Sequence, residues 1–214
     1  MESKIQSDGI PRHAILSRME HDDFLRQSWH AIAHALAEAG VIAGLHAAPA
    51  TIAKKVKRRL ASELRRLAVL LRRLIFLMAL SMELAPSMPR EGRNWFRPED
   101  TRPKARRLFF RLAPAPSGPF PDSLRPMQHI PQPGPVDAAP VTARWQAMLD
   151  VLKHARRRAT RLARNIQRWQ AAGVAKPYVL PMARTHRLTP ELGLIAGAFT
   201  SLINQALARW PDTG

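Results

Sequence analysis

The chain has 214 residues, a formal net charge of +18 and a sequence pI near 11.7, with 46% hydrophobic residues and no cysteine. That length and apolar content suit one or two small domains with a real core and argue against global disorder. The lack of cysteine excludes disulfides, thiol nucleophiles and thiolate metal sites, and the charge points to polyanionic partners, which a strong positive field attracts and steers.

The opening residues, MESKIQSDGIPRH, show neither the basic start nor the apolar stretch of a secretory signal. Residues 1–18 are therefore expected to be a flexible N-terminus of a cytoplasmic protein. A first helix is expected from about Glu20 to Ala39, with Leu25, Trp29, Ile32 and Leu36 on one face and Gly40 as its stop. His30, His34 and Glu38 recur at one-turn spacing, with Asp23 and Gln27 nearby, on the opposite face. Imidazoles and a carboxylate in that pattern are metal-ligand types. A solvated polar stripe is equally what an amphipathic helix presents there, so no metal and no cofactor is assigned.

The second helix is expected to start at Thr51 as N-cap and to run to Ala85, before Pro86. Within it, residues 58–78 read RRLASEL, RRLAVLL, RRLIFLM. Leu60, Leu67 and Leu74 alternate with Leu64, Leu71 and Met78 in steps of four and three, the seam of a helix that packs along its length. Arg58/Arg59, Arg65/Arg66 and Arg72/Arg73 project from the other side as a cationic stripe. Between the stripes, Ser62-Glu63 gives way to Val69-Leu70 and then Phe76-Leu77, so the helix ends apolar nearly all round and has to be covered there. The cover is protein, a second copy joined through the Leu60/Leu64/Leu67/Leu71/Leu74 seam, or the surface of a membrane. The apolar run from Leu74 to Met82 is far short of the roughly 20 residues of a spanning helix. At about 1.5 Å per residue the whole element reaches roughly 50 Å, long enough for a bend or break to be expected.

Residues 86–140 hold 13 of the 19 prolines and are expected to form an extended linker of polyproline character. Inside it, Arg106 to Leu112 is a basic and aromatic island whose RRLFF core resembles the short Arg-x-Leu-Phe docking peptides that bind cyclins. The alternative is a short segment packed on the helical core.

A third helix is expected from about Pro140 to Ala172, with Gly173 as its stop. Val141, Trp145, Met148, Leu152, Ala155, Ala159, Ala163 and Ile166 share its apolar face, while Lys153, Arg157, Arg161, Arg164 and Arg168 lie opposite. From Lys153 to Arg168 there is no acid, so these cations lack a partner along their own helix. Residues 174–188 read as an extended connector. A fourth helix starts at Thr189-Pro190-Glu191, an N-cap followed by a proline and an acid, and presents Leu192, Ile195, Phe199, Leu202, Ile203, Ala206 and Trp210 on one side. Gly40-Val-Ile-Ala-Gly44 and Gly193-Leu-Ile-Ala-Gly197 share small-xxx-small spacing, which suggests a close contact within the chain.

The reading is an all-α protein: an N-terminal helical hairpin (19–85) and a C-terminal helical pair (141–214) of basic amphipathic helices, joined by the proline-rich connector. Residues 51–85 carry a net +7 and residues 141–214 a net +9, so the field belongs to the repeat helix and the C-terminal third. No phosphate loop, dinucleotide fingerprint, nucleophile elbow or His-Glu-x-x-His occurs, and no small-molecule substrate is evident. The expected function is thus a non-catalytic basic interaction protein. Arg58, Arg59, Arg65, Arg66, Arg72, Arg73, Arg157, Arg161, Arg164 and Arg168 are its candidate anion ligands. Three ligands compete: an anionic membrane surface, to which the chain would be peripheral; nucleic-acid phosphates; or a partner protein, with the arginines a solvated face. The last gains weight because 27 of the 34 basic residues are Arg, whose codons, like those of Ala and Pro, are GC-rich.

Overall fold

The structure, a computed structural model, describes residues 12–84 and 134–210. Residues 85–133, which hold the island at 106–112 and most of the proline-rich region, lie outside the described residues. Five helices and a two-stranded ribbon make up the described chain: α1 (Arg12–Ile42), β1 (Thr51–Ala53), α2 (Lys54–Leu80), β2 (Pro135–Asp137), α3 (Ala139–Lys153), α4 (Ala155–Ala171) and α5 (Pro190–Leu207). The all-α class holds, with the ribbon as the one departure.

α2 is the axis of the molecule and touches each of the other four helices. Leu60, Leu64, Leu67, Leu71 and Leu74 are all buried, joined by Ala68, Leu70, Ile75, Leu77 and Ala79 as the helix turns apolar toward its C-terminus. A stripe this wide needs neighbours on several sides, because each buried leucine contributes about 1.5–3 kcal/mol only if it leaves water. The neighbours come from the same chain, so the seam is closed internally rather than against a second copy. No break occurs in α2, which runs continuously from Lys54 to Leu80 for roughly 40 Å.

Buried residues of both helical segments, 19–85 and 141–214, belong to one continuous core among the described residues. α1 lies antiparallel to α3, as two indole donors show: Trp145 Nε1 donates to the Leu36 carbonyl at 2.8 Å and Trp29 Nε1 to the Leu152 carbonyl at 3.3 Å. α5 is held to α1 by the edge-to-face pair Phe24–Phe199, centroids 5.4 Å apart. Phe199 is fully buried.

Several element boundaries differ from expectation, each for an identifiable reason. α1 begins at Arg12, inside the segment expected to be flexible, and does not stop at Gly40. Gly40 instead makes room for an aromatic ring: a Cβ there would sit 2.4 Å from Cζ2 of Trp145. The left-handed residue that ends the helix is Gly44, at φ +66°. Gly193 and Gly197 meet nothing comparable, so the two pentapeptides do not share a role. Thr51 is not an N-cap but the first residue of a strand, paired antiparallel with Asp137, with Ile52 opposite Val136 and Ala53 opposite Pro135. The last residues of the expected linker are therefore part of the folded body, and Ala138 just beyond them is buried.

The expected third helix is two. It breaks at His154 (φ −112°, ψ 26°) without a proline or glycine. His154 Nδ1 lies 3.1 Å from one carboxylate oxygen of Asp150 and Arg158 Nη2 donates to the other at 2.6 Å. The Arg158 hydrogen bond holds the Asp150 carboxyl below the usual carboxylate range. At the last helix the N-terminal signals hold: Thr189 Oγ1 accepts from the Leu192 amide at 3.4 Å, with Pro190 and Glu191 in the first turn.

Two substitutions test this packing. Gly40→Ala is expected to cost about 1–3 kcal/mol by overpacking the Trp145 slot, and Leu71→Ala about 2–5 kcal/mol by opening a cavity on the axis. Both are measured as shifts in the denaturant midpoint; an unchanged midpoint for Leu71→Ala would mean the seam is not enclosed.

Candidate anion-binding surface

The charged side of α2 is what remains once its apolar arc is covered. Two rows run along it at seven-residue spacing: Arg58, Arg65 and Arg72, and beside them Arg59, Arg66 and Arg73. They do not behave alike. Arg58, Arg59 and Arg65 are exposed, with no carboxylate within ion-pair distance among the described residues. Arg66, Arg72 and Arg73 are half-buried.

Arg66 and Arg73 have structural work. Arg66 Nη1 donates to Ser62 Oγ at 3.0 Å, while its Nε is buried with no partner among the described residues. Arg73 bridges two elements, donating from Nη1 to Thr200 Oγ1 of α5 at 2.9 Å and from Nη2 to the Leu180 carbonyl of the connector. Burial lowers the Arg73 guanidinium from its ordinary pKa. Arg144 of α3 feels the same desolvation, followed by the like charges of Arg65 and Arg72. α3 thus adds a further cation beside the outer row of α2, one that the heptad pattern could not show.

Two shallow concavities collect these residues. One, at the start of α2, is lined by Lys54, Lys55, Arg58, Arg59 and Ser62. No side chain caps this helix and no acid stands in its first turn. Cations there oppose the helix dipole, at a cost of a few tenths of a kcal/mol each. The other groove lies between α2 and the connector, with Arg65, Arg66, Val69 and Arg73 on one wall and residues 178–183 on the other. Tyr178, the chain's one tyrosine, stands at its edge and is 83% exposed.

The second stripe is as expected from the sequence. Arg157, Arg161, Arg164 and Arg168 are all exposed on α4, opposite buried Ala155, Ala159, Leu162, Ala163 and Ile166, and make no ion pair among the described residues. On α1, His30, His34 and Glu38 are exposed, and no group of three His, Asp or Glu side chains is placed to hold a metal among the described residues. No helix among them is long and apolar enough to cross a membrane. Phe76 and Leu80, the residues an interfacial helix would insert, are partly buried and packed on the core.

Comparison of the chain with protein-family models, with curated proteins and with solved structures gives no significant match in any of the three. Function has to be argued from this surface alone.

Lys54, Lys55, Arg144 and Tyr178 are the surface residues that sequence reasoning missed. The lysines precede the repeat, Arg144 lies in a helix whose neighbours were unknown, and Tyr178 is isolated in a connector. Arg73→Met is expected to free the connector from α2 and to speed protease cleavage within 174–188 severalfold, with little change in helical circular dichroism. Cleavage at the wild-type rate would show that the Leu180 and Thr200 hydrogen bonds do not hold it.

Proposed function

We propose that this chain is a non-catalytic helical module that binds nucleic acid through phosphate contacts made by the arginine rows of α2 and the stripe of α4. The observation that carries the reading is that Arg58, Arg59, Arg65, Arg157, Arg161, Arg164 and Arg168 make no ion pair among the described residues. Guanidinium groups fit phosphate geometry with two parallel donors, and spacing along a rigid helix suits a repeating backbone. The uncapped, cation-lined start of α2 adds a second place where a phosphate would relieve electrostatic cost.

A membrane surface is the second reading, and one observation favours it. Tyr178 and Leu180 of the connector stand exposed near Arg65, Arg66 and Arg73, the mixture an interfacial anchor uses. The burial of Phe76 and Leu80 weakens it, because most of the apolar area it called on belongs to the core. A face that contacts only phosphates needs no such area.

The test is binding to fluorescent DNA and RNA, single- and double-stranded, across a salt series. Replacing Arg157, Arg161, Arg164 and Arg168 with Gln is expected to abolish or strongly weaken binding at physiological salt and, where binding persists at low salt, to flatten the dependence of log K on log salt by up to about 3–4 units. The melting temperature should stay near wild type, since all four side chains are exposed. Wild-type protein that binds no nucleic acid at physiological salt overturns the reading; binding to anionic vesicles alone would select the membrane.

A further inference from the structure

The groove between α2 and the connector combines three features that a phosphate stripe does not need. Its wall carries Arg65, exposed, and Arg66, whose buried Nε has no partner among the described residues. At its edge stands an aromatic ring that is 83% exposed, beside Leu180 at 63%. The backbone bearing that ring is also anchored: Arg73 holds the Leu180 carbonyl, and Trp210 Nε1 donates to the Val174 carbonyl at 3.0 Å. Pro177 and Pro181 flank the segment and restrict it further.

A solvent-exposed ring on a braced backbone loses little conformational freedom when something stacks on it. Arginines within the same groove supply the charge that the neighbouring phosphate requires. A base within a duplex is already stacked on both faces, so a lone surface ring gains little from double-stranded nucleic acid. We propose that this groove is a seat for unpaired nucleotides, with Tyr178 as the stacking platform for one base, Arg65 and Arg66 as ligands of the adjoining phosphates, and Arg73 as the residue that positions the connector. The inference rests on the nucleic-acid reading above and deepens it: single strands, or unpaired ends and loops, are the preferred ligand.

The experiment compares a 12-nucleotide oligothymidylate with a duplex of the same length, using wild type, Tyr178→Ser, Tyr178→Phe and Arg65→Gln/Arg66→Gln. Tyr178→Ser is expected to weaken the single strand about tenfold with an unchanged salt slope, and to leave the duplex alone. Tyr178→Phe should keep wild-type affinity. The arginine pair should lower the single-strand salt slope by about 1.4. Because Tyr178 is exposed, both tyrosine variants should melt as wild type does. Single-strand affinity within twofold of wild type for Tyr178→Ser overturns the groove and leaves the nucleic-acid reading standing. Wild type that binds neither probe removes both. Loss of binding by Tyr178→Ser to vesicles of phosphatidylcholine and phosphatidylserine, with oligonucleotide binding unmoved, also overturns the seat and assigns the ring to a membrane.

Discussion

The burial of the apolar arc of α2 from Leu60 to Ala79 is the constraint from which the rest of the molecule follows. A helix whose apolar arc widens from a seam at Leu60 to nearly its whole girth at Leu77 cannot be satisfied by one neighbour. α1, α3, α4 and α5 surround it for that reason, and the broken axis between α3 and α4 lets one stretch of chain follow α2 past its C-terminal end. Thr160 and Gln167 of α4 reach Met82 and Leu84 there, at 3.6 and 3.4 Å. Covering the axis leaves a single strip of α2 for charge, and the sequence fills it with arginine.

Such crowding is tolerable because most of it is wet. Two unit charges 4 Å apart in water repel by about 1 kcal/mol, and salt near physiological strength screens them beyond about 8 Å. The costs concentrate where solvent is thinner. Arg144 loses water and feels the like charges of Arg65 and Arg72, and cations crowd an uncapped helix start. Arg73 shows how one such cost is offset: it loses water and gains the Thr200 hydroxyl and the Leu180 carbonyl. The exposed arginines of the two stripes make no ion pair among the described residues, and water takes their donors.

The periodic part of the molecule was legible in the sequence. Heptad spacing located the seam and both stripes, and Thr189-Pro190-Glu191 marked a helix start, because each is local chemistry written at fixed offsets. Non-local events were hidden. Thr51 looks like an N-cap until Asp137 is known to lie opposite it, and Gly40 looks like a stop until Trp145 is known to fill the space beside it. The break at His154, where Asp150 and Arg158 meet across two turns, has no helix-breaking residue to announce it. The groove was invisible for the same reason, since Arg65 and Tyr178 are brought together only by the connector folding back along α2.

The choice of guanidinium over ammonium or imidazole on both stripes has a further consequence. Arginine stays protonated throughout the range in which proteins are folded, even where burial lowers its pKa, as at Arg73 and Arg144. The field of this face is therefore constant from mildly acidic to mildly alkaline conditions, while the eight histidines are too few to alter its sign. Acidification is not a means of releasing whatever is held here. Under the proposed nucleic-acid role, ionic strength and competition from other anions would govern occupancy, and pH would not.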